Sequence, residues 1–252
     1  MRVAVMGASG RVGLRLLEAI AADPGLELAA ALVSPSSRLI GMAIGGGSLV
    51  YRPIEPAMNC HADVFVDFST PAATLALQEA MGDKTIPVVI GTTGFDAEQE
   101  AALDRHAERR ALLVAPNFAV GFATFERAVL DAARCDPGAR ATIVETYHAR
   151  KKAEPSGTSR HLARSIAATR REAAGIDLGE PEIVVRRESA VVGVTEVHFD
   201  LGTAELAFRH SVRDLSAFAD GALAAARNLS RTAAVPGRRG LDITASNGKD
   251  LR

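Results

Sequence analysis

Over the first 117 residues, apolar and polar positions follow two alternating rhythms. Short, fully apolar runs ("RVAVMG", "LELAAALV", "DVFVDFS", "IPVVIG", "ALLVAPN") each break at small or polar residues. Between them lie stretches with helical spacing: Val12, Leu16, Leu17 and Ile20 recur in "RVGLRLLEAIAA", and "DAEQEAALDRHAERR" has a polar face. Asp23-Pro24-Gly25 stops the first helix, and Pro71 in "STPAAT" suits the first turn of another. Apolar strands in strict alternation with helices predict an α/β unit with a doubly wound parallel sheet, covered on both faces.

The pattern changes after Asn117. "FAVGFATFERAVLDAARC" reads as a helix, whereas "ATIVETYH", "EIVVRRESAVVGVTEVHFDL" and "AELAFRHSV" alternate as strands, with turns expected at Gly193 and Gly202. This predicts a C-terminal α+β domain with an open, mostly antiparallel or mixed sheet. The expected division is residues 1–117 for the first domain and 118–215 for the second. The amphipathic "LSAFADGALAAARNLS" and the tail, 216–252, are expected to pack back on the first. The last dozen residues read as a loose tail. Alternation from Glu182 to Arg209 also predicts a sheet larger than its own helices can cover, hence a homo-oligomer joined through that face.

Composition narrows the function classes. Hydrophobic residues make up 48% and charged residues 23%, with a net charge of −1, which gives no footprint for nucleic acid. No apolar run is long enough for a membrane span, the N-terminal apolar segment is short for a secretory signal, and a cytoplasmic protein is expected. Cys60 and Cys135 are too few for a disulfide framework or a structural zinc site, and no metal is expected. His61, His106 and His161 sit in polar contexts and read as surface residues.

Chemistry enters with the first turn. Gly7-Ala8-Ser9-Gly10-Arg11-Val12-Gly13 follows a strand and opens a helix, the setting in which glycines admit a pyrophosphate to bare helical N–H groups. The second strand ends in "ALVSPSSRL", with no Asp or Glu where a free ribose hydroxyl is usually met. Ser34 and Arg38 suit a 2′-phosphate, so NADPH is the expected cofactor, with NADH possible. Phe68 in "DFSTP", Gly91, Thr92 and Thr93 in "GTTGF", and Ala115, Pro116, Asn117 and Phe118 in "APNFAVG" all follow apolar strands. They are expected to line one nicotinamide pocket.

A different chemistry is written in "ETYHARKKAEPSGT". The chain has only four lysines against twenty-five arginines, yet Lys151 and Lys152 stand together here. A Lys can give up a proton where an Arg is almost always charged. Ser156, Gly157 and Thr158 precede a helical run and form an anion site apt for a carboxylate. His148 joins them as a partner for a substrate carboxylate. Lys151 and Tyr147, both ordinarily protonated near neutral pH, are the candidate proton donors.

The ordered set "GASGRVG", "DFSTP", "GTTGF", "APNFAVG" and "YHARKKAEPSGT" resembles the 4-hydroxy-tetrahydrodipicolinate reductase (dihydrodipicolinate reductase) family, over nearly the whole chain to about Leu229. The resemblance implies a Rossmann domain, a C-terminal sheet domain that builds a homotetramer, and NAD(P)H-dependent reduction of a cyclic dicarboxylate in lysine and diaminopimelate biosynthesis. It places the family's proton-donating Lys on Lys151 and its substrate-binding Ser-Gly-Thr on Ser156, Gly157 and Thr158. Four of its motif features are lost here. The family's histidine pair reads Tyr147-His148, and Ala153 replaces an Asp. Gly193-Val194-Thr195 stands for a Gly-Glu-His ending, and Leu215 for an Arg. Tyr147 is therefore either a substitute phenolic acid or the mark of a changed protonation step. Two further readings stand beside the leading one: a paralogue reducing another small imino or oxo acid, and a catalytically silent NADPH-binding sensor or scaffold.

Overall fold

The computed structural model describes residues 1–55, 60–149, 154–175, 177–189, 191–232 and 235–240. They form two compact units: residues 1–119 together with the returning segment from Leu215, and Val120–Asp214.

The first unit is a seven-stranded sheet, parallel throughout. Its strands are β1 (Arg2–Met6), β2 (Glu27–Leu32), β3 (Tyr51–Arg52), β4 (Val64–Asp67), β5 (Val88–Ile90), β6 (Ala111–Val114) and β11 (Gly237–Arg239), in the order β11-β6-β5-β4-β1-β2-β3. The chain begins in the middle and winds outward both ways, the doubly wound arrangement the apolar strands predict. On one face lie α1 (Arg11–Ala22) and α6 (Ser216–Thr232), whose Leu16, Leu17, Ile20, Ala222 and Leu229 close a core over Val3, Val5 and Val66. On the other lie α2 (Pro71–Met81) and α3 (Ala97–Ala107), whose Leu77, Met81 and Leu103 cover Ala4, Phe65 and Leu112.

Local chemistry sets the helix starts. Thr70 caps α2 with Pro71 in its first turn. Asp96 and Gln99 form a reciprocal capping box on α3, with Glu98 and Glu100 placed to favour its positive end. His106, read from sequence as a surface residue, is 7% exposed instead. It lies on the inner side of α3, paired with Glu79 at 3.1 Å, and burial holds its pKa down. The edge strands β3 and β11 have no counterpart in the hydropathy pattern, because two or three residues are too few to show a period.

The second unit has four strands, β7 (Arg140–Tyr147), β8 (Glu182–Arg187), β9 (Gly193–Asp200) and β10 (Glu205–Val212), in the order β10-β9-β7-β8. β7 pairs with β8 parallel and with β9 antiparallel, so the sheet is mixed. The parallel pair requires a crossover, supplied by α5 (Gly157–Ala174). α5 and α4 (Phe122–Cys135) lie on one face and bury Leu162, Ile166, Phe122 and Val129 against Ile143, Val197 and Phe199. Gly193, expected in a turn, is instead the first residue of β9. Alternation puts Val197 and Phe199 on the helix side, and so puts Glu196, paired with Arg209 at 2.7 Å, and His198, paired with Glu205 at 3.2 Å, on the other. Half-buried His161 is likewise no free surface group: it meets Glu126 at 2.6 Å and ties α5 to α4. His61 is exposed. No helix among the described residues is long and apolar enough to cross a membrane.

Candidate functional site

The first glycine turn is shaped by close backbone approach. Gly7 sits at φ 77°, and a Cβ there would lie 2.4 Å from the Phe68 carbonyl oxygen. A Cβ on Gly13 would lie 2.2 Å from the Gly7 oxygen, so only glycine lets α1 seat this near the turn. The Gly7 and Ala8 amides both donate to the Leu32 carbonyl at 3.0 Å, fixing the loop to β2. Gly10 precedes α1 and makes no side-chain cap hydrogen bond, beside exposed Ser9 and Arg11 and half-buried Val12. The residues present fit a dinucleotide's pyrophosphate.

Just past β2, Val33 is buried and Ser34 is the first exposed residue. The Ser34 and Ser36 hydroxyls share a hydrogen bond of 2.9 Å, and the Ser37 amide donates to the Ser34 carbonyl at 2.9 Å. Arg38 is exposed at the end of this turn. From Val33 to Arg38 no carboxylate opposes an anion.

Three more loops meet at the carboxyl ends of β4, β5 and β6. The Phe68 ring is their hub: it packs edge-on to Phe118 at 5.7 Å, and a Cβ on Gly91 would come within 2.3 Å of it. Thr92 is buried, Thr93 exposed and Pro116 half-buried. Buried Asn117 accepts the Ala119 amide at 2.8 Å, and Ala115 donates to the Ile90 carbonyl at 3.2 Å. Beneath the loops lies a residue the sequence reading did not single out, Asp67, with no exposed surface. One oxygen accepts from the Ser69 amide at 3.0 Å, the Ser69 hydroxyl at 2.5 Å and the Thr92 hydroxyl at 3.4 Å, so one carboxyl ties two loops together. The other oxygen is buried without a hydrogen bond. Burial outweighs the hydroxyls and pushes this acid up to about 6.

In the second unit, Tyr147 ends β7 with its ring against Gly193, where a Cβ would lie 2.7 Å from the ring edge. Burial raises the phenol's pKa above its ordinary value, and the nearby Glu145 charge adds to this; Ser156, Thr195 and Thr158 lower it through hydrogen bonds to the phenol. Burial therefore keeps the phenol neutral among three hydroxyls. Two departures from the family pattern, Tyr147 and Thr195, meet here. Half-buried His148 follows at the strand's exit. Lys151 and Ala153 lie outside the described residues.

Ser156 caps α5, accepting the Ser159 amide at 3.2 Å. Its own amide donates to Glu145 at 2.9 Å, so both of its polar groups point inward. Gly157 is the exposed member of the triplet, and Thr158 is buried. Glu145 and its partner Arg187 went unnoticed in the sequence, although both fall on the inward phase of their strands, in step with Ile143 and Ile183. A charged residue on that phase is the signal that finds them.

A doubly wound sheet with a glycine-lined helix start, joined to a mixed-sheet unit with a polar cluster at a second helix start, is the architecture of the dinucleotide-binding α/β proteins. The family is settled by comparison. Residues 1–118 match the model "Dihydrodipicolinate reductase, N-terminus", and residues 121–241 match "Dihydrodipicolinate reductase, C-terminus". The chain belongs to the dihydrodipicolinate reductase family of NAD(P)H-dependent oxidoreductases. It is 36% identical to the 4-hydroxy-tetrahydrodipicolinate reductase of Thiobacillus denitrificans, over 90% of this chain and 92% of that one. It is 31% identical to the protein of that name from Laribacter hongkongensis, over 92% and 94%. A dipicolinate-bound dihydrodipicolinate reductase from Paenisporosarcina sp. TG-14 shares the fold at a TM-score of 0.75 and 22% identity, covering 95% of this chain and 97% of that one.

Proposed function

We propose that this chain is a 4-hydroxy-tetrahydrodipicolinate reductase of lysine and diaminopimelate biosynthesis. It reduces a cyclic imine or enamine dicarboxylate with NADPH, accepts NADH, and works as a cytoplasmic homotetramer. The observation that carries the reading is the protonated phenol of Tyr147 set beside the start of α5, in a chain whose two halves both match the family. The glycine turn at Gly7, Ala8, Ser9, Gly10, Arg11 and Val12 holds the pyrophosphate, and Ser34 with Arg38 holds the 2′-phosphate. Phe68, Gly91, Thr92, Thr93, Ala115, Pro116, Asn117 and Phe118 enclose the nicotinamide, which when bound supplies hydride to the C=N or C=C carbon.

The second unit's residues handle charge and proton. Gly157 and Thr158 present the start of α5 to a substrate carboxylate, with Ser156 turned inward to shape the turn. His148 faces the same anion. Lys151 donates the proton, and Tyr147 orients the acceptor atom or donates in its place. Steady-state oxidation of NADPH in the presence of the cyclic dicarboxylate tests the reading. Lys151→Met lowers turnover about 10²-fold, the usual scale for loss of a general acid. Tyr147→Phe lowers it less if Lys151 is the donor and comparably if the phenol has replaced the family's histidine. Cofactor affinity stays unchanged in both. Full activity of both variants would overturn the chemistry assigned to this stretch.

The pairing of Tyr147 with Gly193 and Thr195 supports a second reading, a paralogue for another small imino or oxo acid, because a bulky phenol reshapes what the site admits. Turnover of such an acid without turnover of the cyclic dicarboxylate selects it. Binding of NADPH without turnover of either selects a silent sensor.

A further inference from the structure

Glu145 has no exposed surface, and its hydrogen bonds reach both the start of α5 and Arg187 of β8. Its Oε2 accepts the Ser156 amide at 2.9 Å and the Ser159 hydroxyl at 2.6 Å. Its Oε1 accepts both terminal nitrogens of Arg187, at 3.4 and 3.3 Å. Arg187 itself reaches further, donating from Nη2 to the Glu154 carbonyl at 3.2 Å and from Nη1 to the Arg186 carbonyl at 2.8 Å. The Glu188 amide, next in sequence, donates to the Tyr147 carbonyl at 2.9 Å.

The pattern joins three elements at one point. β7 contributes Glu145, two residues before Tyr147. β8 contributes Arg187. The first turn of α5 contributes Ser156 and Ser159, and Glu154 lies just before it. A buried carboxylate is a demanding choice for this duty, since it needs a matched cation and a full set of donors. A neutral residue would hold a helix cap in place equally well. What the charged pair adds is direction: both nitrogens of one rigid guanidinium aim at one oxygen, leaving the other oxygen to fix the Ser156 amide.

We infer that Glu145 and Arg187 are positioning residues for the reduction, an ion-pair lock that fixes the Ser156-Gly157-Thr158 turn and the Tyr147 phenol relative to each other. The inference rests on the substrate reading above, in which that turn receives a carboxylate and the phenol faces the proton-accepting atom. Neither charged residue touches the substrate; each acts through the turn. The lock also brackets the stretch of chain that contains Lys151 in the sequence.

The experiment is Arg187→Met in the full-length protein, with Arg187→Lys and the double variant Glu145→Gln/Arg187→Met beside it. The double variant removes both charges together, so no isolated buried carboxylate is left to unfold the chain, while the carboxamide oxygen put in place of the Glu145 carboxylate still accepts the Ser156 amide. Two readouts are taken. Hydrogen exchange at the Ser156 and Ser159 amides is expected to speed up in Arg187→Met and in the double variant, and to lie between these and the wild type in Arg187→Lys. Steady-state kinetics with NADPH and the cyclic dicarboxylate are expected to show kcat/KM lower by about 10²-fold in Arg187→Met, the scale of a misplaced reacting geometry. Both a higher substrate KM and a lower kcat contribute, with NADPH affinity unchanged. The double variant is expected to fold normally and to stay impaired. Wild-type exchange and wild-type kcat/KM in the double variant would overturn the lock, as would a fall in kcat with substrate KM unmoved and amide exchange unmoved. Should the wild type itself fail to turn over the dicarboxylate, the substrate reading falls, and the exchange measurement still decides the lock.

Discussion

Among the described residues each unit buries one carboxylate completely, Asp67 in the first and Glu145 in the second, and the two are treated in opposite ways. In the first unit Asp67 has only neutral donors, one oxygen lacks a hydrogen bond, and burial pushes the acid up to about 6. In the second, Glu145 meets Arg187 and two donors from α5. Under the proposed function, the contrast matches what each unit would bind. A dinucleotide is cradled mostly by backbone, at glycine turns whose shape comes from steric closeness, so its acid only needs to tie loops together. A dicarboxylate needs cations and hydroxyls held at fixed directions, and a charged lock supplies direction.

The largest expected effect tests the backbone side of this contrast. Gly13→Val places side-chain atoms where a Cβ alone would stand 2.2 Å from the Gly7 oxygen, and backbone cannot yield as a flexible side chain does. We expect destabilisation at or beyond about 3 kcal/mol, the upper range for overpacking, and loss of NADPH binding. Thermal melting and a cofactor fluorescence titration check it. Binding of NADPH at wild-type affinity would remove the steric account of the cradle.

Next in size is Asp67→Asn, which tests the tolerance of an unpaired acid. The folded chain holds this proton more tightly than the unfolded chain does, since about 6 lies above the ordinary 3.8. Folding therefore takes up a proton between these values, and stability falls as pH rises through that window. The interval corresponds to about 3 kcal/mol. Asn does not titrate, so the variant is expected to melt higher than the wild type above pH 6 and to lose the slope between pH 4 and 6. Melting curves across pH measure both. A wild-type slope that rises with pH in that window, or one that persists in the variant, would show that Asp67 is paired after all.

The same contrast explains what the sequence could disclose. Steric demands are local, so "GASGRVG" and the apolar strands reveal the first unit's turn and sheet without help from elsewhere. Alternation likewise discloses β7, β9 and β10. Glu145 and Arg187 are invisible to that procedure because their meaning lies in a contact between strands 42 positions apart. Only their phase, in step with Ile143 and Ile183, betrays them. His106 misled for the converse reason: its polar neighbours in sequence face solvent from α3 while its own ring turns inward. Glycine usually breaks strands, so the sequence points to a turn at Gly193, yet here the bare position lets the Tyr147 ring lie across it.

That last point gives a smaller test on the substrate side. Gly193→Ala places a methyl 2.7 Å from the Tyr147 ring edge. A ring yields more readily than backbone, so about 1 kcal/mol of stability is expected to be lost, the low end of overpacking. The displaced phenol should lower turnover while leaving NADPH affinity alone. Tyr147→Phe/Gly193→Ala should then be no slower than Tyr147→Phe by itself, because the displaced group is already gone. A further fall in the double variant would mean that Gly193 serves something other than the phenol.

The last test is the sharpest on cofactor identity. Arg38 is exposed at the end of a turn whose hydroxyls, Ser34 and Ser36, are already bonded to each other, and no carboxylate stands between Val33 and Arg38. Its guanidinium is free of any neighbouring acid in this turn and is the one full positive charge there. If it meets a 2′-phosphate, Arg38→Ala loses one charge-assisted contact, and NADPH affinity should fall about tenfold. NADH has no phosphate at that position and should be unaffected. Solvent screens an exposed pair, so the NADPH loss should shrink as salt is raised, whereas the effect of Gly13→Val should not. Parallel titrations of both cofactors at low and high salt read all three expectations. Equal losses for NADPH and NADH would place Arg38 on the shared part of the dinucleotide, and a clear preference of the wild type for NADH would remove the 2′-phosphate assignment altogether.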